Sequence, residues 1–436
     1  MTFLAAILVT WALAGLLVLS IGWLAIRIFA PAFTGKASPD LGTVFWCGIS
    51  VVSAWASAFW LVAPVTVLMW ICIYVALIGL FGIVALNRKT HSSFATHSVG
   101  TSLMQRKPTR IMSIFGGAFV TAVVVLTAVR STVTPTALDA LNYHLPLIAW
   151  VNSTGAPFGV ANLQWLFGVF TLGHLWGGAF SLGPWSGSGY VLVIGFFELG
   201  LLIDSVLLIH KAWRKSSRGT LWVAAGQMIV SLILIAISWN RPDLWLSFPA
   251  PDLILAVLFC AASTRILLLI IRYDSFLAFT AAALVALVSA TRITYVAWSI
   301  SMILMIALIA WNSRVVTNRV EHIAGVGSSR RNYTVAARLI WIVSLGIAIL
   351  ILVVFTRIIL SGYLLYPLTL FWVDVDWRVE SGGTLGLSND RWVAFGQSLK
   401  AGAVLGDTVL WISVICGSTT LLVWFYLRKR APWMLV

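Results

Sequence analysis

In the stretch 134–152, TPTALDALNYHLPLIAWVN, an acid, an amide, a phenol and an imidazole fall within six residues. Asp139 is a carboxylate of the kind that takes a proton from an attacking hydroxyl, and Asn142, Tyr143 and His144 can hydrogen-bond the molecule that carries it. Read as a helix, Leu138, Leu141, Leu145 and Ile148 form an apolar stripe. Asp139, Asn142, Tyr143 and Pro146 then gather on the opposite side. This predicts a short helix lying on a membrane surface with one carboxylate turned outwards. A purely structural reading stands beside it. Thr136 followed by Asp139 is a capping-box spacing, so the acid would only satisfy first-turn amide protons.

Four further groups have the residue types for a polar site. The loop Asn240-Arg241-Pro242-Asp243 through Pro249-Ala250-Pro251-Asp252 cannot continue as helix because of its prolines, and it holds two acids at a bilayer edge. Asp252 also stands where a helix cap would. Arg292, between two closely spaced apolar runs, is an interfacial anchor or a two-pronged clamp for a phosphate. Tyr363, Tyr366, Asp374, Asp376, Trp377 and Arg378 mix aromatic rings with charge, which fits a saccharide site as well as an aromatic belt. Asn162, Gln164 and His174 come last, and His174 reads first as a helix-packing residue. Glu198 and Asp204 are intramembrane acids, the residues a transport pathway would need. No paired Cys/His spacing, HExxH, GxSxG or phosphate-cradling glycine loop occurs, so no metal site or bound cofactor is expected, with a divalent metal left open.

The elements that position these residues are membrane spans. Of 436 residues, 61% are hydrophobic and 9% charged, the profile of an all-α polytopic membrane protein. The first apolar run, Thr2 to Ala30, lacks a basic leader region and is long enough to span, so it reads as a helix and not a cleaved signal. Cys47, Cys72, Cys260 and Cys416 fall inside spans as small hydrophobes. The net charge of +15 reflects topology, not nucleic-acid binding, because the bases sit in short loops.

Eleven spans are predicted: 3–29, 42–63, 65–86, 111–130, 190–209, 220–239, 253–271, 275–291, 293–312, 335–359 and 403–427. Residues 165–183 are read as an external half-embedded helix, since a crossing there would put Lys211, Arg214, Lys215 and Arg218 outside. The N-terminus is then external and the C-terminus cytoplasmic. Seven of the 28 bases lie outside in this scheme, Arg292 and Arg357 among them, and eight of the 13 acids do. The chain is treated as one domain, residues 1–436. Extra helices occupy 1–110 and a core 111–427, with external loops 131–189, 240–252 and 360–402.

Four pieces in this order resemble membrane glycosyltransferases of the GT-C class: Asp139 to Pro146, Ala161-Asn162-Leu163, Pro251-Asp252, and Ser361-Gly362-Tyr363 through Val375-Asp376-Trp377. The nearest likeness is to a bacterial multipass family beside the lipid-phosphate-sugar-dependent mannosyl and aminoarabinose transferases. The resemblance covers roughly residues 130–380. It implies a GT-C-like helical fold and a polyprenyl-phosphate sugar as donor. It places the catalytic acid at Asp139, in the first external loop. Ala140 stands where many relatives carry a second acid, and three spans precede the loop where simpler relatives have one.

The sequence therefore points to a glycosyltransferase on the outer face of the cytoplasmic membrane. Asp139 is its general base and inversion its stereochemical outcome. Asn142, Tyr143, His144, Asp252, Arg292, Tyr363, Tyr366, Asp376 and Arg378 line its substrates. The acceptor is a glycan, lipid or protein, and membrane lipid surrounds it. Two alternatives stay open: a glycolipid transporter or flippase, and an O-antigen polymerase or ligase.

Overall fold

The computed structural model describes residues 2–29, 39–89, 110–243, 245–247, 249, 251–271, 274–323, 332–366 and 373–379. Twelve α-helices occur among them: α1 (Thr2–Phe29), α2 (Leu41–Trp60), α3 (Val67–Lys89), α4 (Arg110–Arg130), α5 (Leu145–Ser153), α6 (Leu172–Phe180), α7 (Val193–Arg214), α8 (Arg218–Asn240), α9 (Pro251–Ile271), α10 (Ser275–Thr291), α11 (Val296–Ile323) and α12 (Asn332–Ser361). At about 1.5 Å per residue, a 20-residue helix covers the roughly 30 Å hydrocarbon layer. Seven stretches are long and apolar enough to cross it: Phe3–Ile28, Leu41–Trp60, Gly189–Arg214, Arg218–Asn240, Pro251–Ile271, Ile293–Trp311 and Ile340–Ser361. Val67–Ile83, Gly116–Arg130 and Ser275–Thr291 are shorter apolar helices. The first ten predicted spans each coincide with one of these helices. The eleventh, 403–427, lies outside the described residues.

The core is built around α10. Fifteen of its 17 residues are buried, because it is ringed by α2, α6, α9, α11 and α12. A helix enclosed on all sides must be apolar all round, and its alanines (Ala281, Ala282, Ala283, Ala286) let neighbours approach closely. Ser289 bonds within the bundle: its Oγ donates to Ser299 Oγ (2.6 Å), which donates to the Val285 carbonyl (2.7 Å). The α1–α2 contact goes further still. A Cβ on Gly48 would lie 2.0 Å from the Val18 carbonyl oxygen, and one on Gly22 would lie 2.0 Å from that of Val44. Only glycine permits that backbone-to-backbone approach.

Far from α5 and α6, a buried charge network ties four helices together. Arg265 on α9 is fully buried, and its guanidinium reaches Asp204 on α7 at 2.6 Å. Asp204 also accepts from Trp46 Nε1 on α2 (3.1 Å) and Gln227 Nε2 on α8 (2.9 Å). Asp40, which caps α2 through the Thr43 amide (2.8 Å), bonds Lys211 at 3.0 Å and lies 3.9 Å from Arg265. Arg265 and Lys211 hold the Asp40 carboxyl far below the usual range against the opposing effect of its burial. Arg265, inside the predicted span 253–271, is an interior ion-pair partner. Asp204 is engaged on every side, as buried charges in an apolar surround require.

The crossing of α1 and α2 gives a direct test. Gly48→Ala forces two backbones apart, and overpacking of this kind costs about 1–3 kcal/mol. Gly15→Ala, on the same pair of helices but with no atom within 4 Å of its new methyl, serves as the control. Thermal unfolding in detergent should show a lowered midpoint for Gly48→Ala and an unchanged one for Gly15→Ala.

Candidate functional site

The segment after α4 is pinned before it reaches Asp139. The Thr136 amide donates to the Asp243 carbonyl (3.1 Å), and the Thr136 hydroxyl donates to Asp243 Oδ2 (2.6 Å). Arg241 clasps the same carboxylate with two nitrogens at 3.2 Å. These bonds, Arg241 first and Thr136 second, pull the Asp243 carboxyl from 3.8 to about 2. Asp243 is thus a brace between the α8–α9 loop and residues 134–136. Its contribution is complete above pH 4 and is lost as pH falls towards 2.

Residues Ala140–His144 form a π-helical turn that runs directly into α5. The Leu145 amide donates to the Ala140 carbonyl, five residues back, so the turn holds one residue more than an α-turn. The predicted amphipathic helix is corrected here. The extra residue rotates the chain between Leu141 and Ile148, leaving Leu138 and Leu141 exposed while Ile148 is buried. The capping reading of Asp139 also falls. Its side chain makes no cap bond, and the Thr136 hydroxyl that a capping box would use belongs to Asp243. Asp139 is left exposed at the start of the turn.

Around it the structure gathers several predicted site residues. Arg292, at the end of α10, forms an ion pair with Asp252 in the first turn of α9. Both side chains keep about a third or more of their surface exposed, 42% for Arg292 and 35% for Asp252. The Tyr143 phenol is pushed up, first by burial and then by Asp139, with Arg292 opposing and Asp252 adding a little. Asp139, Asp252, Arg292 and Tyr143 therefore share one electrostatic neighbourhood. Tyr143 lies against the His144 ring (4.1 Å between centroids), and Asn142 is exposed beside them.

His144 faces inwards and is buried. Its Nδ1 lies 2.7 Å from Nε2 of His174 on α6. His174 Nδ1 in turn accepts the Thr171 amide proton (2.9 Å), completing a capping box at the start of α6 with histidine in the third position. Burial pulls His144 down to about 3, with Arg292 adding to the effect. Burial also takes His174 well below its ordinary value, helped by His144 and Arg357. Both rings are neutral. Sequence reasoning placed His174 as packing; the Thr171-x-x-His174 spacing carried the missed signal.

Residues 165–183 are also corrected. The expected single helix is broken up: Trp165–Gly168 is a 3-10 turn, and α6, all nine residues of it buried within the protein, covers only part of the stretch. At about 14 Å, α6 is too short to span. Its glycines serve α5, since the side chain of Ile148 would meet a Cβ on Gly177 at 2.8 Å, and that of Val151 one on Gly178 at 2.4 Å. The irregular backbone before α6 is held by Arg357 of α12, whose guanidinium donates to the Gly168 and Phe170 carbonyls. Arg357 is buried, not the external base it was counted as.

Tyr363 and Tyr366 are buried as well, with Ala161 and Val379, in a small second cluster. Tyr363 Oη donates to the Val379 carbonyl (2.9 Å), and a Cβ on Gly168 would lie 2.5 Å from the Tyr366 ring. Neither ring presents a face for a sugar to stack on. Asn162 bonds the Trp377 carbonyl (2.9 Å), holding residues 373–379 over 158–162. Asp374 and Asp376 are exposed, and Arg378 lies 3.8 Å from Asp374. Two groups emerge, one around Asp139 and Arg292 and one around Asp376 and Arg378, both contacted by the segment 159–180. No cluster of three or more His, Cys, Asp or Glu suited to a metal occurs among the described residues.

Fold and site define an all-helical, multi-pass membrane protein with a polar cluster at one end of its bundle. The chain belongs to the DUF8201 family, a domain of unknown function, which it matches over residues 4–390. No curated protein and no solved structure matches it.

The brace and the acid separate experimentally. Asp139→Ala should leave the melting temperature unchanged, whereas a lost cap would cost about 0.5–2 kcal/mol. Asp243→Ala should lower it and speed proteolysis within 131–139. Equal destabilisation by both would reinstate the capping role.

Proposed function

We propose that this protein is a membrane glycosyltransferase that takes a sugar from a polyprenyl-phosphate donor on the outer face of the cytoplasmic membrane. The observation that carries the reading is the exposed Asp139 carboxylate, bound to no cap and acting on the Tyr143 phenol together with a partly exposed guanidinium, Arg292. Asp139 accepts the acceptor hydroxyl's proton as that oxygen bonds to the anomeric carbon. The bond from that carbon to the phosphate oxygen breaks, and the phosphate leaves with the electron pair. A positioned base contributes roughly 10²–10⁴-fold. Attack opposite the leaving group inverts the anomeric centre. Arg292 receives the phosphate, and Asp252 neutralises it when no donor is bound. Asn142 and the carboxylates of the Asp376 group stand ready for sugar hydroxyls.

The transporter reading leaned on Glu198 and Asp204. Asp204 is consumed by Arg265, Trp46 and Gln227, and Glu198 accepts from Ser238 Oγ at 2.9 Å. The setting of Asp204 supports a structural role more than a moving one, whereas Glu198 keeps its second oxygen, Oε1, without a hydrogen-bond partner.

Two measurements test the reading. Purified protein in nanodiscs is incubated with a panel of polyprenyl-phosphate sugars and an acceptor glycan, and release of polyprenyl phosphate is scored. Wild type should turn over one of them. Asp139→Asn should bind donor, seen as a thermal shift, yet transfer at least 100-fold more slowly. Substantial transfer by Asp139→Asn removes the base from the mechanism. Orientation is tested separately with single cysteines in a cysteine-free background. Ser153→Cys should react with an impermeant maleimide from outside intact cells, and Lys215→Cys only after the membrane is opened.

A further inference from the structure

Helices α1 and α7 are joined near one end and stand apart beyond it. At the join, Trp11 Nε1 donates to the Leu192 carbonyl (2.9 Å), and the Trp11 ring would meet a Cβ on Gly195 at 2.4 Å. Between the two helices, with α2 and α4 as the remaining walls, lies a crevice of about 470 Å³. Its lining runs along α7 from Phe196 to Leu207 and along α1 from Leu8 to Leu19. Each run rises about 16 Å, the depth of one leaflet of a roughly 30 Å hydrocarbon layer. The charged residue in the lining is Asp204, and its oxygens are taken by Arg265, Trp46 and Gln227. Everything else a ligand would meet is apolar. Gly15 opens onto this space, since a Cβ there would have no atom within 4 Å. Ile203 and Leu207 are exposed, so the crevice is open to the bilayer along its side.

The end of the crevice away from Trp11 is basic. Lys211 and Arg214 follow Leu207 by one and two turns of α7, on the same helix face. Lys211 is bonded to Asp40, the residue before Leu41 of the lining, so its ammonium marks the mouth. Arg214, Lys215 and Arg218 are exposed just beyond it. We propose that the crevice binds one acyl chain of an anionic phospholipid, whose phosphate rests against Lys211 and Arg214. The surrounding hydrocarbon is as apolar as the crevice, so burial of the chain alone selects little. Shape and charge select instead. A gap one leaflet deep loses van der Waals contacts unless a chain fills it. Each base near an anionic head group is worth about fivefold in binding. The site shares no residue with the Asp139–Arg292 group and does not rest on the function proposed above.

The experiment uses the full chain in nanodiscs doped with phosphatidylglycerol that carries a diazirine in one acyl chain. After photolysis, adducts are mapped by peptide mass spectrometry. Phosphatidylcholine with the same labelled chain controls for the head group. Gly15→Leu fills the crevice from α1, where leucine also suits a helix better than glycine. Ile203→Trp fills it from α7. Leu13→Phe adds bulk to α1 at an exposed residue outside the lining and serves as the control. Arg214→Gln combined with Lys215→Gln removes charge beside the mouth and leaves the Lys211–Asp40 bond in place.

Wild type should give adducts concentrated on residues 8–19 and 196–207, about fivefold or more stronger with phosphatidylglycerol than with phosphatidylcholine. Gly15→Leu and Ile203→Trp should each cut these adducts roughly tenfold, because a side chain then occupies the place of the acyl chain. Leu13→Phe should leave them unchanged. The double glutamine variant should keep the adducts and lose the preference for phosphatidylglycerol. Adducts spread evenly around α1, or undiminished in both filling variants, identify ordinary boundary lipid and overturn the site. Equal labelling by the two head groups in wild type overturns the anionic assignment. Displacement of the label by farnesyl phosphate but not by unlabelled phosphatidylglycerol makes the occupant an isoprenoid chain and overturns the phospholipid.

Discussion

Non-helical backbone inside a membrane protein needs donors and acceptors from within the protein, because hydrocarbon supplies none. Residues 164–171 are such a stretch, and Arg357 meets the demand by placing its guanidinium on the Gly168 and Phe170 carbonyls. Trp60 stacks on Phe170 from below (4.2 Å between centroids), and the Tyr366 ring closes over Gly168. Much of the site end follows from this arrangement. Thr171 leaves the held segment in the right direction to cap α6, His174 follows one turn later, and α5 then lies on the glycines of α6. Without a buried cation the segment could not be both irregular and enclosed.

The two ends of the bundle use the same residue types differently. Around Arg265 the ion pair with Asp204 is buried, so removal of either partner would leave the other stranded, the costliest kind of loss in an apolar interior. Around Arg292 the ion pair is half-exposed, with a second carboxylate, Asp139, nearby and not bonded to it. Water can compete for a pair of that kind. The first arrangement fixes α2, α7, α8 and α9 against one another, and the second is open to exchange with solvent.

The long helices were legible because an apolar run bounded by loops has few other outcomes in a bilayer, and ten of the expected spans fall on helices. Asp252 and Arg292 stood out in the sequence as charges at the ends of apolar runs, and the structure pairs them. Other features were not. Arg357 read as an external base because a sequence shows a charge but not its partner. Tyr363 and Tyr366 read as an open aromatic surface because interfacial and buried rings share a composition. The glycines of 173–178 read as part of a half-embedded helix, and Gly177 and Gly178 owe their place to the close approach of α5. His174 depended on a capping pattern with an unusual third residue.

The π-turn at Ala140–His144 has one more consequence. An α-helix advances by about 100° per residue, so a turn that holds one extra residue is a rotational offset stored in the chain length. Asp139 lies before the offset, and Leu147, Ile148 and Val151, the residues that seat α5, lie after it. Loss of a single residue within the turn would swing the carboxylate by about a quarter of a circle while the helix behind it kept its seat. Chain length at this point is thus a dial on the direction of one acid, and related sequences can reset it by insertion or deletion without disturbing the bundle.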